Sequence, residues 1–174
     1  MVVWYEMAGA FGKKLENIAG RLCEILIPIE HEYHVGEGKT VAICTLSSID
    51  LLETIATNID IMSRILVVGR LLSENKGIDI LIKFAIKYPD LRYIIVCGNE
   101  VKGHKSGQAL LSFHRNGTNK DGRIIGAIGP NPFLTCSQTD IESFRRQTEI
   151  YNLIGSKDMQ VIKAQLSIFF FFCQ

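Results

Sequence analysis

Leu91-Arg92-Tyr93-Ile94-Ile95-Val96-Cys97-Gly98 is the stretch on which the fold turns. Its apolar residues run on without the polar alternation of a half-buried strand, and a glycine closes it. That is the pattern of a strand covered on both faces. A polar segment follows from Gly98 to His104. Helical spacing resumes at about Ser106 and lasts to Arg115, where Asn116-Gly117 tolerates a left-handed stop. Strand, glycine-bearing loop and helix in that order make a parallel β/α unit.

The unit recurs outward from there. Val41-Ala42-Ile43-Cys44-Thr45-Leu46 reads as a second buried strand, and Ser47, Ser48 and Asp50 offer caps for a helix reaching about Ile59. Ile65-Leu66-Val67-Val68-Gly69 reads as a third strand. Ile78, Leu81, Ile82 and Ala85 mark one face of a helix that Pro89 stops. Further on, Arg123 to Ala127 is expected to be a short strand, Ile141 to Ile150 an amphipathic helix, and Asp158 to Leu166 a last helix. On the amino-terminal side, Phe11, Leu15, Ile18, Leu22 and Leu26 recur at helical spacing up to Pro28. His31 to Lys39 is polar, carries Gly36 and Gly38, and reads as a loop. The alternation predicts an α/β fold, a mainly parallel sheet with helices on both faces.

Composition narrows the function classes. The chain has 174 residues with 19 Lys and Arg against 18 Asp and Glu, a formal charge of +1 that excludes a strongly basic nucleic-acid binder. Hydrophobic residues make up 47%, which excludes a disordered chain. Mean hydropathy is +0.18, yet no run approaches the roughly 20 apolar residues that span a bilayer. The last stretch, Ser167 to Gln174, is apolar but far too short. No secretory signal opens the chain, so a cytoplasmic setting is expected. Five dispersed cysteines argue against a disulfide framework or a zinc ribbon.

In parallel sheets ligands bind beyond the carboxyl ends of the strands. The loops there are Gly69–Gly77, Gly98–Gly107 and Gly126–Pro132, each glycine-rich, and glycine lets a backbone approach a ligand closely. His104 stands between Gly103 and Gly107, where missing side chains would leave its imidazole open to a large flat ligand. A neutral imidazole is also a common axial ligand for a metal held in a macrocycle. The residues alone leave a second reading open, a capping or loop histidine. Neither GxGxxG nor GxxxxGK[ST] occurs, so nucleotide-binding motifs give no support to a nucleotide site.

Taken in order, these blocks resemble a known family. They are Val41-Ala42-Ile43-Cys44-Thr45-Leu46, Ser73-Glu74-Asn75-Lys76-Gly77-Ile78, and the run from Arg92 through Cys97-Gly98-Asn99-Glu100-Val101-Lys102-Gly103-His104-Lys105-Ser106-Gly107-Gln108. Asn116-Gly117, Asp121-Gly122-Arg123-Ile124-Ile125-Gly126-Ala127 and Pro132-Phe133 complete them. The chain resembles the corrinoid-carrying A subunit of tetrahydromethanopterin S-methyltransferase, and CGxEVxGHxxGQ is the most specific block.

The resemblance implies a Rossmann-like domain over 31–166 that binds cobamide, with a helical extension over 1–30 and a short apolar tail over 167–174. It implies that His104 is the lower axial ligand of the cobalt and the one catalytic residue. The expected cofactor wall comprises Gly69, Ser73, Glu74, Asn75 and Gly77 in the first loop. Gly98, Asn99, Glu100, Gly103, Ser106, Gly107 and Gln108 follow in the second, and Gly126, Ala127 and Pro132 in the third. The cofactor implied is a cobalamin-type cobamide, the 5-hydroxybenzimidazolyl form.

The activity implied is methyl carriage from methyltetrahydromethanopterin to coenzyme M in methanogenesis, with other methyltransferase subunits, or a methyl donor or acceptor protein, as partners. A non-catalytic, soluble corrinoid-binding or interaction module is the alternative. Family members usually end in a membrane helix beyond a linker and carry a proline where Arg70 stands. In another corrinoid pattern, Asp-x-His-x-x-Gly, an aspartate supports the histidine, but here Lys102 takes that place. The acceptor for the second imidazole nitrogen must then come from elsewhere. Glu100 is the candidate, its alternative being a solvent-facing loop carboxylate.

Overall fold

The run beginning at Tyr93 forms a central strand of a five-stranded sheet. A computed structural model describes residues 33–171. In chain order these form β1 (Tyr33–Val35), β2 (Val41–Cys44), α1 (Ile49–Ala56), α2 (Ile59–Met62) and β3 (Val67–Gly69). There follow α3 (Lys76–Lys87), β4 (Tyr93–Gly98), α4 (Ser106–Asn116), α5 (Gln138–Gln147), β5 (Glu149–Ile154) and α6 (Met159–Phe171). The helix expected from Phe11 to Leu26 lies outside the described residues.

Sheet order is β1-β3-β2-β4-β5. β2, β3, β4 and β5 run parallel, and β1 closes one edge antiparallel to β3. Successive side chains of a strand face opposite ways, and the two central strands use both faces. Ala42, Cys44, Ile94 and Val96 enter one core with α3, α4 and α5. Val41, Ile43, Ile95 and Cys97 enter a second with α1, α2 and α6. Both faces are therefore dry, which accounts for strands that read as unbroken apolar runs. The α/β class read from the sequence is the class the chain adopts.

The topology also creates a crevice. From β2 the chain leaves to α1 on one face and returns as β3 on one side. From β4, on the other side of β2, it leaves to α4 on the opposite face. The two outgoing loops part where the strand order reverses, at the carboxyl ends of β2 and β4.

Several local expectations need correction. His31 to Lys39 does not read through as loop, because Tyr33–Val35 pairs with Val67–Gly69 as an edge strand. Three residues with an outward Tyr33 and Val35 carry no apolar run to betray it. Arg123 to Ala127 is not a strand: only isolated bridges, Thr118 to Ile124 and Arg123 to Phe133, tie that loop to itself. The helix predicted to reach Ile150 stops at Gln147. Thr148 turns extended, its hydroxyl donating to the Phe144 carbonyl at 2.8 Å, and Ile150 is already in β5. Ser48 occupies the first cap of α1 but makes no cap bond with its side chain; its Oγ instead accepts the Asn99 N–H at 2.8 Å. The helix after β2 ends at Ala56, and Asn58 starts α2 by accepting the Ile61 N–H at 3.1 Å. At the other end of the chain α6 continues through Phe171, and Phe169 stacks on Tyr93 at 4.3 Å between centroids.

Candidate functional site

Glu100 organises the loop that follows β4. Its Oε1 accepts the N–H groups of Val101 at 2.8 Å and Gly107 at 3.0 Å, and its Oε2 accepts that of Gln108 at 2.8 Å. A carboxylate thus sits on the first turn of α4, where free N–H groups and the helix dipole favour it. Glu100 is neither the acceptor for His104 nor a solvent-facing carboxylate, the two roles read from sequence. Lys105, at the cap, holds a left-handed φ of 53°, unusual for a residue with a side chain. Ser106 is buried and its hydroxyl donates to the Leu71 carbonyl at 2.6 Å. The loop is pinned from both ends, and the imidazole of His104 projects from its middle with a side chain 54% exposed.

Glu74, from the loop after β3, meets that imidazole. His104 Nδ1 lies 2.7 Å from Glu74 Oε2. The Glu74 side chain is fully buried, and its Oε1 accepts the Asn131 N–H at 2.9 Å. Gly129 lies over the same point: a Cβ there would collide with the His104 carbonyl and stand 3.0 Å from Glu74 Cγ. Three loops far apart in sequence therefore converge on one carboxylate. A carboxylate beside Nδ1 favours the tautomer in which Nδ1 donates, and in a neutral imidazole of that tautomer Nε2 keeps its lone pair.

The two glycines flanking His104 differ. Gly103 has a φ of 85° and nothing within 4 Å of an added Cβ, so this side of the histidine is open, as expected. Gly107 is not part of the opening. A Cβ there would lie 2.9 Å from Ile154 Cδ1 and 3.0 Å from Leu46 Cδ1, so its bareness serves packing of α4 against the sheet.

The other expected wall residues hold the loops together. Ser73 Oγ accepts the Gly77 N–H at 2.9 Å and Asn75 Oδ1 that of Lys76 at 2.6 Å, so both cap the start of α3. The Gly69 carbonyl accepts the Thr45 N–H at 2.9 Å. The Asn99 carbonyl accepts the Ser47 N–H at 3.1 Å and its hydroxyl at 2.8 Å, bridging the crevice between β2 and β4. Gly98, with a φ of 76°, ends β4 beside the Thr45 carbonyl. The Gln108 amide donates to the Gly126 carbonyl at 2.9 Å and accepts the Ile128 N–H at 3.1 Å, fastening the third loop to α4. Ala127 is buried there, and the Pro132 carbonyl accepts the Ile124 N–H at 2.8 Å.

Sequence reasoning places Glu74 on the wall but misses its bond to His104, and misses Gly129 and Asn131. It also passes over Asp79, whose buried carboxylate accepts the Thr135 N–H and hydroxyl at 3.0 and 2.7 Å and the Cys136 N–H at 3.1 Å. Burial pushes the Asp79 carboxyl up, and the hydrogen bonds from Thr135 and Cys136 outweigh it, leaving the group below its ordinary value. The signals for Glu74 in the sequence are its family block and its place on the same sheet end as His104.

The other described histidines and the described cysteines stand apart. His114 lies on α4 with Nε2 at 2.6 Å from the Thr148 carbonyl, and His34 is on the edge strand β1. Burial pushes the thiols of Cys44, Cys97 and Cys136 up to about 12, so none is a ready nucleophile at neutral pH. Among the described residues no group of three or more His, Cys, Asp or Glu is arranged to hold a metal. A recess lined by Arg92, Tyr93, Arg146 and Glu149 is at the other end of the strands, where β4 and β5 begin.

A histidine held by a buried carboxylate beyond β4 is the setting in which comparison with known proteins becomes informative. A family model describing the A subunit of tetrahydromethanopterin S-methyltransferase matches residues 24–170. The chain belongs to this family. The A subunit of this methyltransferase from Methanosarcina acetivorans is 41% identical over 101 residues, 58% of this chain and 42% of that protein. The A subunit numbered 1 from Methanothermobacter marburgensis is 36% identical over 141 residues, 79% of this chain and 57% of that protein. The A subunit numbered 2 from Methanothermobacter thermautotrophicus is 36% identical over 138 residues, covering 78% and 72%. The chain thus spans about half the length of the first two. Among the described residues no helix is long and apolar enough to cross a membrane.

Proposed function

We propose that this chain is a cobamide-binding methyl-carrier subunit of the methyltransferase its relatives are named for, with His104 as the lower axial ligand of the cobalt. The observation that carries the reading is the 2.7 Å contact of Nδ1 with Glu74, which leaves Nε2 as the donor on a half-exposed ring. The donor set fits the group. A metal met by one protein imidazole needs a macrocycle for the rest of its shell, and Gly103 keeps the approach free. When bound, the cobamide supplies a cobalt centre that accepts a methyl group and gives it up again.

The chain's own residues do the positioning. Glu74 fixes the tautomer and orientation of His104, and a carboxylate partner raises the basicity of the ligating nitrogen. Glu100 holds the loop so that the ring projects outward. Gln108 fastens the third loop beside it. Methyl donor and acceptor, methyltetrahydromethanopterin and coenzyme M, are met through other subunits of the complex, on its cytoplasmic side. The test is an ultraviolet–visible titration of the purified chain with hydroxocobalamin, followed by assay of methyl transfer to coenzyme M with partner subunits present. Wild type is expected to gain a bound spectrum that His104→Ala lacks. Identical spectra and affinities for the two would refute the ligand assignment.

A further inference from the structure

Among the described residues, two hydrogen bonds join the loop after β3 to the loop after β4. One is the contact of His104 Nδ1 with Glu74 Oε2 at 2.7 Å. The other runs from the Ser106 hydroxyl to the Leu71 carbonyl at 2.6 Å, across 35 residues of chain. Leu71 stands three residues before Glu74, and Ser106 two residues after His104. The two bonds therefore close a small ring, from Leu71 to Glu74 on one loop and from His104 to Ser106 on the other. Their settings differ: Ser106 is fully buried, whereas the His104 side chain is 54% exposed.

The backbone inside that ring is strained. Lys105 caps α4 with φ 53° and ψ 43°, where a cap residue is ordinarily extended and offers a short polar side chain to the first turn. Lys105 makes no cap bond with its side chain, and Glu100 accepts the N–H groups of Gly107 and Gln108 instead. A left-handed turn at a residue with a Cβ is disfavoured and persists only where its surroundings over-determine it. Lys105 is exposed, so its own side chain does not impose the turn. Its neighbours do. Its N–H donates to the Val101 carbonyl at 2.9 Å, and the next residue, Ser106, is fastened to Leu71. Serines near helix starts commonly bond their own local backbone, and this one gives its hydroxyl to another loop.

We infer that Ser106 is a positioning residue for His104. Its buried bond sets the distance between the two loops and holds Lys105 in its left-handed turn, so that Nδ1 meets Glu74. This deepens the reading of His104 as a ligand and rests on it for its purpose. The readout is taken on the free protein, so the two fail separately.

The measurement is the tautomer ratio of His104, read by nitrogen-15 NMR of the histidine side chains in the whole chain without corrinoid. The pH is set high enough for the imidazole to be neutral, and His104→Ala identifies the signals. Which ring nitrogen carries the proton is set by the hydrogen bonds of the ring. The ratio of Nδ1–H to Nε2–H therefore reports the Glu74 contact, and Glu74→Ala gives the value without it. Ser106→Ala is expected to lower the ratio on the order of 10-fold, towards the Glu74→Ala value. Lys105→Gly and Lys105→Val test the same link at an exposed position. Glycine takes the left-handed turn freely and should keep the wild-type ratio, whereas valine resists the turn and should lower it. A purely structural Ser106 would lower the urea midpoint of Ser106→Ala and leave the ratio of the folded protein as in wild type, which overturns the inference. If Ser106→Ala does not fold, the Lys105 pair decides: a ratio lowered in Lys105→Val alone supports the inference, and equal ratios in the two overturn it. A wild-type ratio already equal to that of Glu74→Ala overturns it as well. Ratios that change as expected in a chain that binds no hydroxocobalamin support the positioning role and refute the cobamide reading.

Discussion

Glu74 and Glu100 are both glutamates in loops beyond the carboxyl ends of parallel strands, and both have their oxygens fully engaged. They do different work. Glu100 accepts only backbone N–H groups, all within eight residues of itself, and so makes its own loop and the start of α4 rigid. Glu74 accepts a backbone N–H 57 residues away with one oxygen and contacts a side chain 30 residues away with the other. One carboxylate builds the platform, and the other reaches out to the group that projects from it. A carboxylate's function here is read from what it accepts, since position in a loop is common to both.

The comparison breaks first at Glu100. Glu100→Ala leaves three N–H groups without their charged acceptor and should cost about 3 kcal/mol of stability, measured by urea unfolding. A loss under about 1 kcal/mol would mean that the α4 amino end is held by something else. Glu74→Gln should behave in the opposite sense. The amide keeps the shape and can still accept from Asn131, so stability should stay within about 1 kcal/mol. Corrinoid affinity should drop on the order of 10-fold to 100-fold, because the imidazole proposed as the cobalt ligand loses its carboxylate. Unchanged affinity would reduce the Glu74 contact to a packing detail.

Asp79 offers a smaller and pH-dependent contrast. Its folded pKa lies below the ordinary 3.8, so its contribution to stability is present above that value and is lost as pH falls through the lower folded one. Asp79→Asn should cost about 1–2 kcal/mol at neutral pH and remove the corresponding part of the acid limb. Urea midpoints measured from neutral pH down to about pH 2.5 check this. An acid limb identical in variant and wild type would contradict the assignment.

Much of this arrangement is legible in the amino-acid order alone. β2 and β4 are buried on both faces, so burial itself writes their apolar runs, and α3 and α4 show their period because one side of each meets a core. β1 is not legible because a three-residue edge strand exposes Tyr33 and Val35. β5 is hidden for a related reason: along Glu149–Ile154 every residue is exposed or half-buried, and neither alternation nor an apolar run results. His104 announces itself through its glycine neighbourhood and its family motif. Its partner does not, because nothing in a linear spacing links a loop after β3 to a loop after β4. Parallel pairing puts both loops at one end of the sheet, and the strand order β3-β2-β4, which a linear spacing does not show, sets how they approach each other.

The central claim is that His104 Nε2 coordinates cobalt, and electron paramagnetic resonance tests it most directly. Protein loaded with a cobamide and mildly reduced to the Co(II) state has an unpaired electron along the axial direction. An axial nitrogen from the protein splits each cobalt line into a triplet, and labelling all histidines with nitrogen-15 should convert the triplets to doublets. His104→Ala should show no such response to the label. Triplets that persist in the labelled wild type would place the cofactor's own base, or another nitrogen, on the metal and would contradict the account.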